Sequence, residues 1–131
     1  EFELISNWQN KYSNESEELM IREIFVDSGR LEKSKEYTIR HNSLAEMMGD
    51  AYLFVRSCFN LVADCHELGQ SEEALEWFSL GMANLKDAIS LGSVNEVHQQ
   101  LLLQQSSNIA KMIGLHQAWE GLMHQLFQNQ R

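Results

Sequence analysis

No proline occurs anywhere in this chain, and cysteine appears only at Cys58 and Cys65. No apolar run approaches the roughly 18–20 residues that a membrane-spanning helix requires. The opening Glu1-Phe2-Glu3-Leu4 has neither a basic nor an apolar leader segment, so the expectation is a soluble, cytoplasmic chain with no membrane insertion. Basic residues are scarce as well: ten against nineteen acidic ones leave a formal charge of −9, and they are scattered, so no positive stripe exists to track a phosphate backbone. Nucleic acid is therefore excluded as a partner. Strand signals are missing too, with no apolar–polar alternation over six residues and no Asn-Gly or Asp-Gly turn. Cys58 and Cys65 lie seven residues apart on one expected helix. That places their Cα atoms about 10 Å apart, beyond the roughly 7 Å reach of a disulfide, so they read as buried thiols in a reducing compartment.

What is present is an ordinary globular composition. At 131 residues, with 44% hydrophobic and 22% charged side chains, the chain is one compact domain or a short array of repeats, not a disordered tail or a two-domain enzyme. A core of this size buries about two-thirds of the extended surface, so neither metal nor disulfide is needed for stability. The first residue is not methionine, and Glu1-Phe2 is what an EcoRI cloning site encodes. The reading is a segment excised from a longer protein, with vector-derived residues at 1–2 and an N-terminal extension over 1–14.

Glycines between apolar stretches punctuate helices joined by short turns. Gly29, Gly69, Gly92 and Gly114 mark helix ends, while Ser43-x-x-Glu46, Ser93-x-x-Glu96, Asn14-x-x-Glu17 and the Ser71-Glu72-Glu73 run mark starts. The resulting map places helices over 15–28, 31–42, 43–68, 71–91, 94–113 and 116–129, with a further short helix over 3–12. Segment 43–68 is apolar on two sides, from Leu44, Met47, Ala51, Val55 and Phe59 on one to Leu53, Phe54, Leu61 and Leu68 on the other. Such a helix is sandwiched between neighbours rather than laid on a surface. Segment 94–113 follows the same pattern, and these two are the expected central layers.

Three stretches coincide when their glycines are superimposed: Ser28-Gly29-Arg30-Leu31, Leu68-Gly69-Gln70-Ser71 and Ile113-Gly114-Leu115-His116, with glycines 40 and 45 residues apart. That period is the mark of a helical array. A small residue follows in each copy, Ser34, Ala74 and Ala118, where it lets the second helix approach the first.

The central copy, Asn60-Leu61-Val62-Ala63-Asp64-Cys65-His66-Glu67-Leu68-Gly69-Gln70-Ser71-Glu72-Glu73-Ala74-Leu75-Glu76-Trp77-Phe78, resembles the tetratricopeptide repeat core NLG-x-x-Y-x-x-LG-x-x-EEA-x-x-x-F. It departs from that core at Val62 and Cys65. The flanking copies match in their turns and second helices. Spacing above the family's 34 residues, and the lack of a closing proline, imply longer helices than the standard repeat. The resemblance implies antiparallel helix hairpins stacked as a short right-handed α-solenoid, about three pairs and six to seven helices. It also implies a concave groove that holds a peptide or helix of a partner protein. Carried over by position, the groove presents Leu19, Glu23 and Asp27, then Arg56, Phe59, Ala63 and His66, then Gln104, Asn108 and Lys111. Of the lysines and asparagines with which some members clamp a C-terminal carboxylate, only Asn108 and Lys111 have counterparts.

Chemistry-bearing patterns are few. The five histidines form no Glu-x-x-His pair recurring on facing helices, and Glu120 and His124 at i and i+4 read as a helix-surface pair, so no metal site is expected. No phosphate loop, nucleophile elbow or enzyme signature occurs, so neither catalysis nor a cofactor is expected. Trp8, Trp77 and Trp119 read as core. The glutamines from Gln99 to Gln130 leave the last third polar but nearly uncharged, a surface suited to docking on another protein or a sister copy, which makes a homodimer through the C-terminal helices a further expectation. The alternative to an interaction scaffold is a sensor or regulatory domain that binds a small molecule or signalling peptide and relays it to an attached output domain. A helical-bundle enzyme or metal protein is the third reading.

Overall fold

A computed structural model describes residues 31–129. Those residues form five α-helices and no strand: α1 (Leu31–Met48), α2 (Ala51–Glu67), α3 (Ser71–Leu91), α4 (Glu96–Met112) and α5 (His116–Asn129). The all-α expectation holds for them. The helices expected over 3–12 and 15–28, and with them Leu19, Glu23 and Asp27, lie outside the described residues.

The helix ends follow local chemistry, with two corrections to the sequence map. The expected break at Ser43 does not occur: α1 runs on to Met48. Ser43-x-x-Glu46 fits a capping box, but a cap forms only where the preceding helix is interrupted. The interruption comes at Gly49, whose φ of 68° suits a residue without a Cβ. Asp50 then caps α2, its carboxylate accepting the Leu53 N–H at 3.0 Å. Likewise Asn95, not Ser93, caps α4, accepting the His98 N–H at 2.8 Å. The stops at Gly69, Gly92 and Gly114 fall where the sequence puts them, all with positive φ.

α2 is the hub. It packs most extensively on α3, then on α1 and on α4, while α4 carries α5. Leu53, Val55, Phe59, Leu61, Val62 and Cys65 of α2 are each no more than 2% exposed. Phe78, Met82, Leu85 and Ile89 of α3 close the core from one side, with the Phe59 and Phe78 rings 6.0 Å apart. Ala74 and Gly81 let α3 come close, and both are buried. The α1–α2 seam is polar: Asn42 donates to Ser57 Oγ at 2.8 Å and to the Phe54 carbonyl at 3.2 Å. Of the three small residues marked by the repeat, Ser34 and Ala74 are buried, but Ala118 is exposed. In the last hairpin the close approach is made instead by Trp119, whose indole N–H donates to Ser106 Oγ at 2.8 Å.

Candidate functional site

The expected groove residues are not brought together as one surface. Glu23 and Asp27 lie outside the described residues. Phe59 is fully buried in the core and Arg56 is 6% exposed, so neither opens onto a groove, which corrects their assignment. The reason is the hub position of α2. Tyr52 stacks on the His98 ring of α4 with centroids 3.8 Å apart, and the Arg56 guanidinium lies 5.9 Å from the Tyr52 ring. Gln105 of α4 donates to the Arg56 carbonyl at 3.2 Å and to Asn60 Oδ1 at 3.1 Å. The face of α2 expected to greet a partner is thus spent on α4. Ala63 is half-buried, and His66 is exposed at the last turn of α2.

Gln104, Asn108 and Lys111 do converge. With Val97, Leu101 and Ser107 they line a shallow depression on the outer side of α4, closed by Trp119 of α5. Apolar atoms lie bare there and along the hairpin: Val97 is 67% exposed, Leu101 40%, Leu122 45% and Phe127 37%. From residue 96 onward Glu96 and Glu120 are balanced by Lys111 and Arg131, so the whole formal charge of −9 resides in residues 1–95. The α4–α5 hairpin, which carries Glu96, Lys111 and Glu120, is a nearly neutral, partly apolar end on an acidic chain.

A second concavity lies between α3 and α5, a half-open groove of about 590 Å³ walled by Phe78, Met82, Leu122, Met123 and Leu126, with Lys86 among its lining residues. None of these residues is among those the sequence singles out for a site. The available signal was the adjacent pair Leu122-Met123, too wide a stripe for α5 to spend on α4 alone.

Polar clusters elsewhere hold the fold. Lys35 donates to Glu73 at 2.9 Å and to Gln70 Oε1 at 2.7 Å, joining α1 to the start of α3. The Lys35 hydrogen bond holds the Glu73 carboxyl below its ordinary pKa, with help from the Trp77 indole. For Lys35, burial pulls the pKa down, but the Glu73 hydrogen bond and nearby negative groups outweigh it and leave the value raised. Burial pushes the Cys58 thiol up to about 12 and the Cys65 thiol up to about 11, so both are inert as nucleophiles.

Ser107 Oγ lies 3.1 Å from His116 Nε2, and His116 Nδ1 lies 3.4 Å from Glu120. Glu120 therefore reaches back to His116 rather than on to the expected His124. The order serine, histidine, carboxylate is that of an activated nucleophile. Ser107 sits in mid-helix, however, where neighbouring amides are engaged within α4 and leave no paired N–H groups for an oxyanion, and the Glu120 side chain is 61% exposed. The chain is a latch across the hairpin.

Among the described residues no three His, Cys, Asp or Glu side chains converge as a metal site would need, and no helix is long and apolar enough to cross a membrane. No family model, curated protein or solved structure matches this chain.

Proposed function

We propose that the chain is a protein-interaction module, a tetratricopeptide-like stack of helix hairpins whose partner surface is the outer face of α4 and α5. The stacking reading is supported by the Gly69 turn with its buried Ala74, and by the packing of α4 on α2 across the intervening α3. An array of this kind is open-ended, because each hairpin covers the flank of the one before it. The observation that carries the proposal is the bare Val97–Leu101 edge on a nearly neutral hairpin. Exposed apolar surface with little charge and many amide groups is the composition of an interface centre. A partner helix laid along α4 buries that edge as α4 buries its own inner face on α2, with Gln104, Asn108 and Lys111 supplying hydrogen bonds at the rim. The two buried free thiols suit a reducing, cytoplasmic setting.

The test is affinity capture with the natural full-length protein, wild type against Leu101→Asp, together with light scattering of both. A monomer that loses its captured proteins on substitution supports the module. A dimer that dissociates on substitution puts a second copy in the partner's place. An unchanged captured set and an unchanged mass overturn the assignment of this face.

A further inference from the structure

We propose that the groove between α3 and α5 is a binding site for a single-chain amphiphile with an anionic head, in its simplest form a medium-chain carboxylate. Three features of the groove argue for this class. The first is size. At about 590 Å³ it falls within the range of small-molecule clefts. Its lining on α3 runs from Phe78 to Ser90, about 18 Å at the rise of a helix. That is a slot for a linear tail.

The second feature is the wall. Met82 and Met123 are each 7% exposed and line the groove with Phe78, Leu122 and Leu126. Methionine thioethers adapt their shape to an apolar guest without a large rearrangement of the backbone.

The third is charge. Lys86 is the one charged lining residue among those described, and the remaining polar lining, Ser79, Ser90 and Gln125, is neutral. No ion pair among the described residues engages Lys86. An unpaired ammonium among otherwise neutral lining residues selects an anionic head over a cationic one. This inference goes beyond the interaction role and stands on different residues from the α4 edge.

Titration of decanoate into protein carrying ¹³C-methyl methionine, followed by NMR, tests the site. The Met82 and Met123 methyl resonances should shift and saturate, while that of Met47, 83% exposed on α1, stays in place. One further methylene in the tail should tighten binding by up to about fourfold. Lys86→Gln should weaken decanoate at least fivefold, and decyltrimethylammonium should bind the wild type more weakly than decanoate does. Lys86 is exposed, so its substitution leaves the fold intact. The proposal is overturned if Met47 moves with the other methionines, if Lys86→Gln binds decanoate as tightly as the wild type, or if the cationic amphiphile binds as well as the carboxylate.

Discussion

Gly81 faces the Phe59 ring so closely that a Cβ at position 81 would stand 2.9 Å from Phe59 Cε1 and 3.2 Å from Cys58 Cβ. Phe59 is fully buried and has no room to retreat. Alanine gains about 1 kcal/mol over glycine in a helix interior, while overpacking a core costs about 1–3 kcal/mol. Gly81→Ala should therefore be destabilising despite its better helix propensity. Gly121 of α5 meets nothing within 4 Å, so Gly121→Ala should be stabilising by up to about 1 kcal/mol. Urea midpoints of the two variants should move in opposite directions. Adding Phe59→Leu to Gly81→Ala should cost less than the sum of the single changes.

The junction between α1 and α2 gives a second contrast. Asp50→Ala removes the acceptor for the Leu53 amide and should cost about 1 kcal/mol. Ser43 is exposed in mid-helix, so Ser43→Ala should change stability by less than about 0.5 kcal/mol. Equal losses from both substitutions would contradict the helix boundary.

A pH dependence follows from Lys35 and Glu73. The Glu73 carboxyl has its pKa lowered by folding, so its contribution is present above the ordinary value of 4.5 and is lost as pH falls through the folded value. The Lys35 ammonium has its pKa raised, so its contribution is present below 10.5 and is lost as pH rises through the folded value. The stability difference between wild type and Lys35→Met should be widest between those limits and narrow outside them. Because the Glu73 side chain is 40% exposed, solvent screens the pair, and the difference should stay below about 1 kcal/mol. A difference that is flat from pH 3 to pH 12 would remove the ion pair from the account.

The two thiols offer a direct chemical readout. With pKa values pushed up to about 12 and about 11, and with both side chains fully buried, Cys58 and Cys65 should not react with a disulfide reagent at pH 8 in the folded protein. Both should react promptly in denaturant. Fast labelling of either thiol in native buffer would show local opening of α2.

Much of the fold was legible from residue chemistry. Gly69, Gly92 and Gly114 end helices where the apolar periodicity stops, and the two-sided pattern of α2 correctly announced a sandwiched helix. The same pattern already opposed a groove role for Arg56 and Phe59, since a helix covered by three neighbours has no face to spare. Family-like register numbers positions along one helix but does not say how many helices surround it. The expected start of α2 at Ser43 fails because Ser43-x-x-Glu46 satisfies a local rule whose precondition, a break in the preceding helix, is met only at Gly49. Gln104, Asn108 and Lys111, carried over from the family resemblance, do share a surface, because their i, i+4 and i+7 spacing puts them on one helix face in any packing. The α3–α5 groove was hidden because periodicity marks an apolar stripe and cannot distinguish one that is covered from one that stands half open.

The split of charge along the chain sets how its contacts respond to ionic strength. Added salt weakens associations that rest on opposite charges, and it leaves intact, or strengthens, those that rest on removing apolar area from water. With Glu96 and Glu120 cancelled by Lys111 and Arg131, a complex formed on the last hairpin belongs to the second kind. Screening also quiets the mutual repulsion of the acidic remainder, so such a complex should hold or tighten as the medium becomes more saline.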